Sequence, residues 1–110
     1  MKKQKIVKNQ RDFDRIIKTG TLIKNNSYII YYENNEFLYN KFGVSVGKKL
    51  GNAVFRNKYK RKIRSIIDNN ELNFNKNKNF IIILKGMREE KDYHQLEKDY
   101  NHIMNKVREE

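Results

Sequence analysis

Cysteine is absent from the 110-residue sequence. That excludes disulfides and thiolate metal sites, and it fits a reducing, cytoplasmic setting. Proline is absent too, beside abundant Asn, a compositional trait to which no chemistry is attached. No apolar stretch approaches the roughly 20 residues that a membrane helix needs. The start, MKKQKIVKNQ, is basic with no apolar run after it, so no secretory signal is expected. Catalytic sets are also missing. His94 and His102 stand eight residues apart without Cys or paired carboxylates, which is not a metal-binding pattern. GKKLG at 47–51 is too short for a phosphate-cradling loop, and no Ser/His/Asp set is evident. The acidic residues between 89 and 99 read as a solvated helix start. No bond-breaking apparatus is expected within this chain.

What the sequence does have is positive charge, a formal +12. Such a surface repels itself unless a polyanion neutralises it. Nucleic acid is favoured over an anionic membrane, because no segment joins a wide apolar face to a basic one as a membrane-lying helix would. The length suits a single domain over residues 1–110 with one modest core. Residues 1–8 read as a basic, loosely ordered arm.

Asn9 reads as a helix N-cap, with Asp12 at the third helical position as in a capping box. Phe13, Ile16 and Ile17 follow at helical spacing, and Gly20 is the stop. Thr21–Ile23, Ser27–Glu33 and about Lys41–Val46 read as strands, with Asn34–Glu36 as turn material. Gly43 marks a close backbone approach. Asn52 caps a second helix to about Asn69, followed by a polar connector of little pattern over 68–79. FIIIL at 80–84 reads as a strand buried on both faces. Asp92 caps a last helix with an apolar stripe from Tyr93 to Val107. The order αβββαβα, with a strand–helix–strand crossover over 41–84, implies an α+β fold with a four-stranded mixed sheet.

The segment from 48 to 64 carries eight Lys or Arg and no acid, yet Phe55, Tyr59, Ile63, Ile66 and Ile67 are interleaved in and just after it. On a helical wheel started at Asn52, stepping about 100° per residue, the apolar set spans about 300° through zero to 60°. Arg56, Asn57, Lys60, Arg61 and Arg64 occupy an arc from about 40° to 180° on the same wheel. Lys48 and Lys49 precede the helix at the end whose free N–H groups attract anions. Like charges spaced i,i+4 cost an isolated helix a few tenths of a kcal/mol each. A phosphate backbone converts that cost into binding by releasing counterions. On the strands, Tyr31 faces away from Tyr28. With Phe13 it could stack on unpaired bases if that sheet face is open.

GVSVGKKLGNAVFRNKYKRKIR, residues 43–64, resembles the signature of the bacterial ribonuclease P protein subunit. Lys48, Lys49, Gly51, Asn52, Ala53, Val54, Arg56, Asn57, Lys60, Arg61 and Arg64 carry the resemblance. N-x-x-D-F near the start, YIIYY and the III strand agree with it. The resemblance covers about residues 2–107. It implies a ribosomal-protein-like α–β sandwich with a left-handed crossover, where general rules give a right-handed one. It also implies a role as the non-catalytic protein component of an endoribonuclease, in which a large catalytic RNA removes the 5′ leader of precursor tRNA. The partners would then be that RNA, bound 1:1, and precursor tRNA, with Mg²⁺ held mainly by the RNA. Lys48, Lys49, Asn52, Arg56, Asn57, Lys60, Arg61 and Arg64 would contact the catalytic RNA. Phe13, Ile17, Ile29, Tyr31, Ser45, Lys49 and Leu84 would form a cleft for the single-stranded leader. The family commonly has an aromatic residue at the place of Ile17 and a small one at that of Leu84.

Overall fold

The computed structural model describes residues 1–86 and 89–107. The elements are α1 (Gln10–Thr19), β1 (Thr21–Lys24), β2 (Tyr28–Asn34), β3 (Lys41–Val46), α2 (Ala53–Asn69), β4 (Lys78–Leu84) and α3 (Tyr93–Met104). The strands form one mixed sheet in the order β1-β2-β4-β3. β1–β2 and β2–β4 run antiparallel and β3–β4 parallel. The expected α+β order is therefore the observed one.

Each helix begins on a polar cap. Asn52 Oδ1 accepts from Phe55 N at 2.9 Å, and Asp92 Oδ1 from Gln95 N at 2.9 Å. Asn9 Oδ1 accepts from Arg11 N at 2.8 Å. Asp12 does not reach back to close the expected capping box. Its carboxylate instead pairs with Arg15 at 2.6 Å, because Arg15 is drawn to this side of α1 by Glu33 at 2.7 Å. Burial alone would raise the Glu33 carboxyl, but hydrogen bonds from Arg15 and Asn79 outweigh it and hold the group below its ordinary value.

Alternation along the strands splits the apolar residues between two layers. Tyr28, Ile30, Phe42, Val46, Phe80, Ile82 and Leu84 face α2 and α3 and build the main core with Tyr59, Ile63, Leu96 and Ile103. Ile81 faces the other way, against Ile16 of α1 and Val7, with Phe13, Tyr31 and Ile83 around them. β4 is thus buried on both faces, as its unbroken apolar run implies.

Two expectations are corrected. The arm is not loose: Lys3–Lys5 form a 3-10 turn, Ile6 bridges Phe42 in parallel, and Val7 N–H donates to Phe42 O at 2.9 Å. Val7 is apolar and fills the layer under α1, which gives the arm a burial reward that its basic composition hides. The connector before β4 also has pattern, since Leu72 and Phe74 pack on the main core. Phe55, aligned with the apolar stripe of α2, is only half-buried, and its ring lies where a Cβ on Gly51 would fall, 2.7 Å away.

Two core tyrosines differ in one bond. Tyr28 and Tyr100 meet edge to face at 6.2 Å and are both fully buried. Tyr28 Oη donates to Leu96 O at 2.8 Å, whereas Tyr100 Oη has no protein partner. Tyr28→Phe is expected to lower stability by about 1 kcal/mol, and Tyr100→Phe to leave it unchanged or raise it by up to about 1 kcal/mol. Urea midpoints of the two variants at constant m-value check this.

Candidate nucleic-acid interface

Two surfaces separate on this frame. The first is α2 with the turn before it. The main core grips α2 through Tyr59, Ile63, Ile66 and Ile67, all buried. Asn57, Arg61 and Arg64 are exposed on the helix, with Arg56 and Lys60 half-buried beside them. Lys48 and Lys49 are exposed on a 3-10 turn between β3 and α2. Among the described residues, none of these cations belongs to an ion pair, in contrast to Arg15 and Lys91 elsewhere. Lys62, on the opposite flank, lies 4.8 Å over the Tyr59 ring. Arg56 Nε is buried without a protein partner, which leaves its guanidinium unneutralised beside the arc. Asn52 has a structural task as the helix cap through its Oδ1, so only its Nδ2 is left to face outward.

The second surface is the sheet face on the α1 side. Strand register sets its side chains in rows. Leu22, Tyr31, Ile81 and Gly43 form one row, and Lys24, Ile29, Ile83 and Ser45 the next. α1 lies on the first row. A Cβ built on Gly43 would stand 2.6 Å from Phe13 Cζ and 3.0 Å from Ile81 Cδ1, so the Phe13 ring rests directly on the β3 backbone. This is the close approach expected of a glycine inside a strand. Beyond α1 the second row stays half-open: Ile29, Ile83 and Ser45 are partly buried, and Ile17 is 38 % exposed. The result is a shallow apolar groove walled by Phe13 and Ile17 and floored by Tyr31, Ile29 and Ile83. Gly43→Ala is expected to displace Phe13, cost about 1–3 kcal/mol of stability by overpacking and deform this groove while leaving α2 in place. Thermal unfolding and the fluorescence of a reporter on α1 read the two effects separately.

Five of the seven proposed cleft residues, Phe13, Ile17, Ile29, Tyr31 and Ser45, fall on or beside this face, and Lys49 is exposed on the turn four residues after Ser45. Leu84 does not lie on this face. It pairs with Tyr28 and Val46 and is 2 % exposed in the main core, facing α2 and α3. Strand alternation forces this, since Leu84 shares its face with Ile82 and Phe80. Ile83, partly buried on the α1 side, supplies the floor from β4 instead, while Ile81 on the same face is fully buried under α1. Counting register outward from Ile29 would have found Ile83, because a strand beside β2 must present the same parity to the same face.

An α–β sandwich, with an arc of cations outside any ion pair on one helix and an apolar groove on the far sheet face, is the class of protein these features define. The family model for Ribonuclease P matches residues 1–108. The ribonuclease P protein component of Streptococcus equi subsp. equi is 40% identical over 105 residues, covering 94% of this chain and 87% of that one. The component of Mycoplasma capricolum is 50% identical over 70 residues, 64% of each chain. The Staphylococcus aureus RNase P protein structure superposes with a TM-score of 0.83 at 33% identity, covering 92% of this chain and 93% of that one. The chain belongs to the ribonuclease P protein family, a component of the ribonucleoprotein that processes tRNA. Among its described residues no helix is long and apolar enough to cross a membrane.

Proposed function

We propose that this chain binds the catalytic RNA of ribonuclease P, one to one, through Lys48, Lys49, Arg56, Asn57, Lys60, Arg61 and Arg64. The groove beside α1 holds the single-stranded 5′ leader of precursor tRNA, and the RNA subunit breaks the bond. The observation that carries this reading is the division of labour between two surfaces joined by one short turn. The arc on α2 offers forked and point cations to a folded RNA backbone. The groove offers half-buried aromatic and aliphatic side chains to splayed bases.

Mg²⁺ is assigned to the RNA. Among the described residues no three His, Asp or Glu side chains come together to hold an ion. The protein's own contribution is positional and electrostatic. Lowering repulsion where two RNAs meet raises substrate affinity and reduces the Mg²⁺ required.

Reconstitution with the ribonuclease P RNA of the same genome tests the reading, with cleavage scored on leader-bearing and leaderless precursors. Protein addition is expected to favour the leader-bearing substrate. Equal enhancement of both would remove the groove from the mechanism, and hydrolysis by the purified protein alone would overturn the assignment of the chemistry to RNA.

A further inference from the structure

The half-open row does not stop at β2. Register continues it onto the edge strand β1, where Lys24 stands directly across from Ile29 and Leu22 across from Tyr31 on the same face. Lys24 is exposed, belongs to none of the ion pairs among the described residues, and ends the row opposite Ser45. Leu22 is 49 % exposed, an apolar side chain next to a tyrosine already assigned to base contact. At the other end of the row β3 passes into the turn that holds Lys48 and Lys49. The groove is therefore a track that crosses all four strands, about 14 Å if adjacent strands lie about 4.8 Å apart, with Ile29 and Ile83 as its apolar floor, Lys24 at one end and the strand that leads into the Lys48–Lys49 turn at the other.

We propose that Lys24 and Leu22 are binding residues for the distal part of the leader. This rests on the reading of the groove given above. The turn at Lys48 and Lys49 adjoins the helix assigned to the catalytic RNA, so the leader enters the track there. It then runs across Ser45, Ile83 and Ile29, perpendicular to the strands. Lys24 meets a phosphate of a nucleotide farther from the cleavage site than those on Tyr31 or Ser45, and Leu22 packs against the adjoining base. The protein thereby measures leader length: only a leader long enough to cross the sheet gains the β1 contacts.

The test uses holoenzyme reconstituted from full-length protein and its RNA, with precursors whose leaders are shortened one nucleotide at a time. Lys24→Ala is expected to weaken the affinity for long-leader precursor roughly fivefold and to flatten its salt slope by about 0.7, as one lost single-strand phosphate contact should. Below a threshold leader length, Lys24→Ala and wild type are expected to coincide while Tyr31→Ala still weakens binding. Leu22→Ser should follow the Lys24 length dependence without altering the salt slope. Because Lys24 and Leu22 are exposed, unchanged melting temperatures are expected and separate these effects from misfolding. A Lys24→Ala effect that is the same at every leader length, or no effect at any length while Tyr31→Ala weakens leader-bearing substrate, overturns the β1 track and leaves the groove standing. Indifference to both Lys24→Ala and Tyr31→Ala overturns the groove reading itself.

Discussion

Phe80→Ala is expected to lower the unfolding free energy by about 3–5 kcal/mol, a large part of the total for a domain whose stability is of order 5–15 kcal/mol. The ring is fully buried at the centre of β4. It stacks on Phe42 at 5.2 Å between centroids and meets Phe74 at 5.7 Å and Tyr32 at 5.8 Å. Each aromatic pair adds about 0.5–1.5 kcal/mol beyond the area buried, so truncation removes several pairings along with the transfer energy of the ring. Collapse is restricted because the partners come from β2, β3 and the 70–77 connector, which β-sheet pairing holds apart. Equilibrium urea unfolding measures the loss. A cost under 1 kcal/mol would mean that the connector closes over the gap and that the cluster is not a fixed part of the core. Phe80→Leu, which keeps most of the volume, is expected to recover more than half of the loss.

Arg61→Ala combined with Arg64→Ala is expected to weaken binding of the ribonuclease P RNA by about 2–4 kcal/mol if both make charge-assisted phosphate contacts. The dependence of log affinity on log salt should flatten by about 1.5, for two contacts at roughly 0.7–0.9 each. Both side chains are exposed on α2 and stand clear of the buried stripe of Tyr59, Ile63, Ile66 and Ile67. Stability should therefore move little, since removing Arg64 takes away a like charge at i,i+4 from Lys60 and relieves repulsion. Filter binding across a salt series, paired with thermal melts, separates the two quantities. Undiminished affinity with an unchanged salt slope would take these two arginines out of the RNA contact. Lys58→Ala, on the opposite flank and 5.9 Å from the Tyr59 ring, serves as the comparison and is expected to have a smaller effect.

Much of this architecture was legible from residue order. Asn9, Asn52 and Asp92 mark helix starts because an amide or carboxylate there satisfies an N–H that the helix leaves free. The five apolar residues at 80–84 can only be a strand between two layers, and Gly43 carries the mark of a ring lying against backbone. The arc on α2 could be drawn on a wheel before any coordinates, since helical periodicity is a local property. What escaped was non-local. The pairing of the N-terminal arm with β3 depends on Val7 finding a layer built by Ile16 and by Ile81, the latter at the far end of the chain from it. Leu84 was misplaced because its face follows from the parity of β4 against β2, which no single strand reveals. Asp12 left its capping position for Arg15 because Glu33, on another strand, holds that guanidinium in reach.

The arm that runs beside β3 has one more consequence. Its bridge at Ile6 covers the outer side of that strand, so β1 is the other flank of the sheet, four residues long and closed by Lys24. Free strand flanks are templates on which neighbouring molecules polymerise, and short, lysine-bearing ones resist it. Short and ending on a lysine, β1 is a poor template of this kind, and that lysine is the one that would greet the leader.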